Sequence, residues 1–159
     1  MRRPQIVTAD CRLLYLGHEG VEQWNQLQSL QTTARCLAAP PNLKGAMLSD
    51  CHLAHAIFDG ADLTGASLAE AYLCGATLRR ARLRGAFLCG ADLTGADLRH
   101  AQLDEADLRG ACLYQADLRG ASMWNANLDF ANLHLARLHG ALLIGAKLPG
   151  ENEAYCHCN

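Results

Sequence analysis

The residues best able to do chemistry are arginines set twenty apart. Arg79, Arg99 and Arg119 recur at that interval, His139 continues the series, and Asp97 and Asp117 stand two positions before the second and third arginines. Evenly spaced guanidinium groups suit carboxylates or phosphates on an extended partner, because each planar fork can grip an oxyanion through two hydrogen bonds. The same Asp and Arg residues also fit a solvated charge lattice, in which an exposed pair contributes about 0–1 kcal/mol. Other chemistry is thinly represented. Cys156-His157-Cys158 has metal-ligand residue types, but a lone Cys-x-Cys lacks the second pair that makes a zinc site. His52 and His55 lie close together without an identified cysteine or carboxylate partner. No glycine-rich phosphate loop and no paired zinc motif occurs. No catalytic, cofactor-binding or metal-ligating residue is therefore assigned, and no cofactor is expected.

The element that must position these residues runs from Asn42 to Gly150, where an apolar residue returns every five positions. Leu43, Leu48, Leu53 and Phe58 begin a series that continues unbroken to Leu143 and Leu148, with Met123 as its other non-leucine member. A small residue stands two positions before nearly every one, as at Ala46, Cys51 and Ala56, and glycine fills most positions two after. A period of five fits neither an amphipathic helix nor an alternating strand. Within a unit, however, the alanine and the leucine are two apart, so on a locally extended backbone both side chains point the same way. Glycine after the leucine permits a bend. Each unit is then a short extended side followed by a corner. Such sides, closing on themselves and stacking, make a solenoid with leucine along its axis and alanine between.

Runs such as Ala61-Asp62-Leu63-Thr64-Gly65, Ala91-Asp92-Leu93-Thr94-Gly95 and Ala116-Asp117-Leu118-Arg119-Gly120 resemble the pentapeptide-repeat family. The resemblance implies an all-β solenoid, a right-handed quadrilateral β-helix with four sides per coil and residues twenty apart stacked roughly 4.8 Å from one another. The repeat then makes about five and a half coils and a rod on the order of 26 Å long. On that register the arginine series becomes one column, with Asp97, Asp117 and Arg137 in the column beside it and Arg80 and His100 at the adjoining corner. Asp92 and His134 share a side but lie two coils apart in different columns.

Composition agrees with a narrow core: half of the 159 residues are hydrophobic, yet only 6% are aromatic. The longest uncharged apolar run is far below membrane-spanning length. Arg2 and Arg3 precede Ile6 and Val7, but Asp10 and Arg12 interrupt any signal-peptide core, so a cytoplasmic location is expected. Among the eight cysteines, Cys51 takes an inward position, while Cys74, Cys89 and Cys112 face outward without stacking on one another; free reduced thiols are expected.

Four segments follow. Residues 1–17 form a leader whose structure the pattern does not define. Residues 18–39 form a helical cap, in which Val21, Trp24, Leu27, Leu30, Ala34 and Leu37 recur at helical spacing until Pro40 and Pro41 stop it. Residues 41–150 are the β-helix and 151–159 a tail. Val21 to Asn25 also resembles the helical cap preceding the repeats in some members of the family. Its structural use is to cover the unpaired edge and open core of the first coil.

Function is then expected on the outward positions. The solenoid holds ten Lys and Arg against eleven Asp and Glu, so no basic field draws in nucleic acid. An enzyme is not expected either, because a convex rod filled by leucine offers no concave, water-excluding site. The reading is a non-catalytic protein-interaction module or scaffold with an unknown protein partner, its candidate contact residues being Arg79, Arg99, Arg119 and His139. The alternative comes from the resemblance, since some members protect DNA gyrase by presenting a DNA-shaped acidic rod; near-neutral charge departs from that pattern. A homodimer through the C-terminal end is also expected. Trp124 and Ile144 stack in one column with Leu142 beside them, and Phe130 and Leu135 occupy corners where glycine is usual, so these five are the candidate interface.

Overall fold

A computed structural model of the chain describes residue 14, residues 17–33 and residues 40–150, with helix side chains described from 17 to 26. The rest of the leader, residues 34–39 and the tail with Cys156-His157-Cys158 lie outside the described residues.

From Asn42 onward the backbone pairs in parallel with itself twenty residues later, beginning at Asn42 with Asp62 and ending at Asn127 with Lys147. The interval confirms four five-residue sides per coil of a right-handed quadrilateral β-helix. Its hydrogen bonds repeat without interruption through the middle of the rod. The amide of each central residue donates to the coil above, as Leu93 does to the Cys112 carbonyl at 2.7 Å, and the amide before it donates to the coil below, as Asp92 does to the Ala71 carbonyl at 3.0 Å. Each side ends in a tight turn closed by a bond such as Ala96 N–H to Leu93 O at 3.0 Å. The residue before that closing amide has positive φ at every corner from Gly45 to Gly145. Glycine is therefore the favoured corner residue, but ten corners carry a side chain in the left-handed region, among them Arg80, His100, Phe130 and Leu135.

The axis is as narrow as the repeat implies. Leu48, Leu53, Leu63, Leu93 and Met123 are fully buried, and the alanines between them are too. The space two positions before the centre is small, so alanine recurs there, with Cys51 packed against the core at one unit.

Helix α1, Gly17–Thr33, closes the N-terminal end. It begins within one residue of the expected start; Leu27, Leu30, Ala34 and Leu37 of the expected apolar stripe fall outside the described side chains. Val21 and Trp24 are buried, and the Trp24 ring lies 5.7 Å from that of Phe58 in the first coil. The cap is also polar. Trp24 Nε1 donates to the Ile57 carbonyl at 2.8 Å, Asn25 Nδ2 donates to the His55 carbonyl at 2.9 Å, and Asn25 Oδ1 accepts the Ile57 amide at 2.8 Å. The Asn25 side-chain amide thus stands in for a strand peptide against the first coil's open edge.

At the other end burial declines. Leu133, Leu138 and Leu143 are only partly buried, and Leu148 is exposed.

Candidate functional site

The arginine column lies along the fourth side, the one centred on Phe58, Leu78, Leu98, Leu118 and Leu138. The sequence Asp-Leu-Arg builds it. On an extended unit the Asp and Arg project outward together, and the carboxylate can accept both the backbone amide and the guanidinium two residues on. Asp97 Oδ1 accepts the Arg99 amide at 3.2 Å and its Nε at 2.9 Å, while Oδ2 takes Nη2 at 2.8 Å. Asp117 holds Arg119 in the same way, at 2.8 Å and 2.7 Å, and on the second side Asp107 holds Arg109. Coils are linked as well. Arg79 Nε reaches up to Asp97 Oδ2 at 2.6 Å, and Arg137 lies 4.0 Å from Asp117.

These forks set the electrostatics. Hydrogen bonds from Arg99, reinforced by Arg79 against the opposing effect of partial burial, hold the Asp97 carboxyl well below the usual carboxylate range. Arg119 does the same for Asp117 and Arg109 for Asp107; on the first side Thr64 lowers Asp62 through its hydroxyl at 2.6 Å. The carboxylates raise the paired Arg99, Arg109 and Arg119 in turn.

Arg79, Arg99, Arg119 and His139 thus form one column, exposed at Arg79 and His139 and half-buried at Arg99 and Arg119, with the three arginines oriented by a neighbouring acid ladder. Beside it, Arg79, Arg80, Arg99 and His100 line a cleft of about 450 Å³ with Asp59 and Gly60. Asp59 Oδ1 accepts the Arg79 amide at 3.0 Å. Sequence reasoning placed Arg80 and His100 at this corner but missed Asp59 as its floor. The signal was present, since Asp59 begins the column that Arg79 continues.

The third side gathers other residues singled out by type. His52 stacks on Tyr72 with ring centroids 4.7 Å apart, and Tyr114 stacks on His134 at 5.8 Å. Asp92 accepts from the Cys74 thiol at 3.4 Å. Burial, with Asp92 nearby, pushes the Cys74 thiol up, and burial does the same for Cys51. Among the described residues no group of three or more His, Cys, Asp and Glu is placed to hold a metal ion. Cys51, Cys74 and Cys89 are free, but Cys112 is disulfide-bonded, which corrects the expectation of free thiols throughout. That expectation rests on stacking within columns, which does not by itself decide disulfide pairing.

The five candidate end contacts lie toward the C-terminal end of the rod. Trp124, Phe130, Leu135, Leu142 and Ile144 are all at least half exposed, Ile144 at 70%. Trp124, Leu142 and Ile144 share the first side; Phe130 and Leu135 project from two successive corners. Among the described residues no helix is long and apolar enough to cross a membrane.

The family model described as pentapeptide repeats (8 copies) matches residues 42–80, 71–110 and 111–150. Among solved structures, a pentapeptide repeat protein, Rfr23, from the cyanobacterium Cyanothece 51142 is 38% identical, with a TM-score of 0.55 over 57% of this chain and 61% of that one. A pentapeptide repeat protein from the Arabidopsis thaliana thylakoid lumen is 33% identical, with a TM-score of 0.33 over 57% of this chain and 56% of that one. QnrB1, a plasmid-mediated fluoroquinolone resistance protein, is 17% identical, with a TM-score of 0.38 over 68% of this chain and 67% of that one. The match to the first two relatives spans 61% and 56% of their own lengths. No curated protein matches the chain.

Proposed function

We propose, from the premise that the chain belongs to the pentapeptide-repeat family, that it is a non-catalytic interaction rod whose arginine side receives an anionic surface of a protein partner. The observation that carries the reading is the orientation of Arg79, Arg99 and Arg119 by the Asp97 and Asp117 ladder. A guanidinium already held in one geometry loses less side-chain freedom on meeting an oxyanion, so the same contact binds more tightly. The exposed apolar residues at the C-terminal end support self-association there, which would present the arginine sides of two rods.

Replacing Arg99 and Arg119 together by Gln tests the reading. Capture of partner protein should fall and lose its salt sensitivity, while the melting temperature changes little. Capture by the double variant equal to wild type would overturn the assignment of this side. The gyrase-directed alternative needs a continuous acidic surface. On this side the carboxylates are matched by guanidinium groups, which favours the first reading. Inhibition of gyrase supercoiling by the added protein would reverse that preference.

A further inference from the structure

The arginines of the rod are unequally satisfied. Arg109 holds Asp107 and Arg119 holds Asp117, which Arg137 approaches only to 4.0 Å, whereas Arg79 and Arg99 both bond closely to Asp97. Arg80, next along the chain, has no side-chain partner among the described residues. It sits on a corner at φ 55°, directly below His100. The His100 ring in turn lies over Gly120, where an added Cβ would stand 2.5 Å from its Nδ1. Three guanidinium groups therefore meet two carboxylates, Asp59 and Asp97, around the cleft, which leaves an uncompensated positive charge at its mouth.

We infer that this cleft is the anchoring subsite of the arginine side, and that it takes carboxylates on an extended acidic segment of the partner protein, with Arg80 as the anchor. The inference rests on the reading of that side as the partner surface. Arg80 supplies an unused fork for bidentate contact, and Asp97 keeps Arg79 and Arg99 aimed beside it. Alternate residues of an extended segment project the same way, about 6.8 Å apart, so two acidic side chains fit within the height of two coils. A neutral residue between them can pass the Asp59 carboxylate, and Gly60 adds no side chain there. A nucleic-acid strand fits this cleft poorly. Its continuous phosphates would meet Asp59 as well as the guanidinium groups, and no Phe, Tyr or Trp lines the cleft for base stacking.

The test is fluorescence anisotropy with a labelled peptide of alternating Glu and Gly, its Gln counterpart, and a single-stranded oligonucleotide of equal charge. The Glu peptide should bind and the Gln peptide should not. Arg80→Gln and Arg79→Gln should each weaken Glu-peptide binding about tenfold or more, whereas Arg109→Gln and Arg119→Gln should stay within about twofold of wild type. Gln already occupies an equivalent left-handed corner at position 115, so Arg80→Gln should fold normally, which circular dichroism would verify. An Arg80→Gln protein that binds like wild type, or a wild type indifferent to the Glu peptide, overturns the subsite. Oligonucleotide binding as tight as that of the peptide, through the same residues, overturns the ligand class. Partner capture that depends on Arg99 and Arg119 without any peptide binding overturns the subsite alone and leaves the reading of the arginine side standing.

Discussion

A leucine at the axis and an aspartate on the flank of one unit are two or fewer positions apart, yet they answer to different forces. Leu93 is wholly buried between the leucines of neighbouring coils, so Leu93→Ala removes methyl groups that a closely packed column cannot refill. The expected cost is about 2–5 kcal/mol in chemical denaturation. Thr94→Ala forfeits only weak hydroxyl contacts with sulfur, that to Cys112 at 3.2 Å and that to Cys74, and should cost under about 1 kcal/mol. Equal costs would refute the inward register. The aspartates respond to pH instead. Asp62, Asp97, Asp107 and Asp117 are held below the ordinary value of 3.8, so the unfolded chain takes up protons before the folded one does. Their contribution is complete above that ordinary value and is lost as pH falls through it toward the lower folded values. Melting temperature should therefore drop from about pH 4 downward, and less steeply in Asp97→Asn. A slope unchanged by that substitution would show that the forks stabilise nothing.

The helical cap and the corners are elements whose sequence does two things at once. Trp24 covers the core while its indole N–H joins Asn25 in pairing the first coil's edge. Asn25→Ala leaves the Ile57 amide and the His55 carbonyl without those partners and should cost about 1–2 kcal/mol. Because each coil of a solenoid contacts only its neighbours, the loss should be local. Amide exchange should speed up at Ile57 and stay unchanged relative to the global rate at Leu93; a uniform change would argue against the edge-pairing role. Corners show the converse tension. Leu135 adopts φ 59°, a conformation costing a branched residue roughly 1–2 kcal/mol, and points an apolar side chain into solvent. Leu135→Gly relieves that strain against a comparable chain-entropy cost. Stability should stay within about 1 kcal/mol of wild type.

At the scale of the whole rod, the two ends contrast. One is covered by α1; the other ends in partly exposed leucines ringed by Trp124, Leu142, Ile144, Phe130 and Leu135. On the reading proposed above, this apolar ring is the surface that a second copy would cover end to end. Ile144→Asp should convert a sedimenting dimer to monomer at micromolar concentration, and Leu135→Gly should weaken it without loss of stability. A wild type that sediments as a monomer, or a dimer indifferent to both Ile144→Asp and a matching change at Trp124, would remove this interface.

The repeat by itself determined the register of the rod. A strict period of five with Ala and Leu two apart leaves one consistent set of inward positions, so the axis, the corners and the outward columns of the four sides could be read without coordinates. Helix α1 was legible for the same reason, since Val21 and Trp24 mark a helical period that stops being five. What lay outside that reach depends on distances between coils and on side-chain direction. Asp97 serves both Arg79 and Arg99 because its Oδ2 accepts from Arg99 in its own coil and from Arg79 in the coil below, while Arg80 has no side-chain partner among the described residues. The bidentate role of Asn25 was hidden because it neighbours the apolar stripe and belongs to no period. Cys112 was misjudged because a column register identifies only stacking neighbours, and a disulfide need not follow the stack. Periodicity encodes which way a side chain faces, but only the folded coils decide which neighbour it meets.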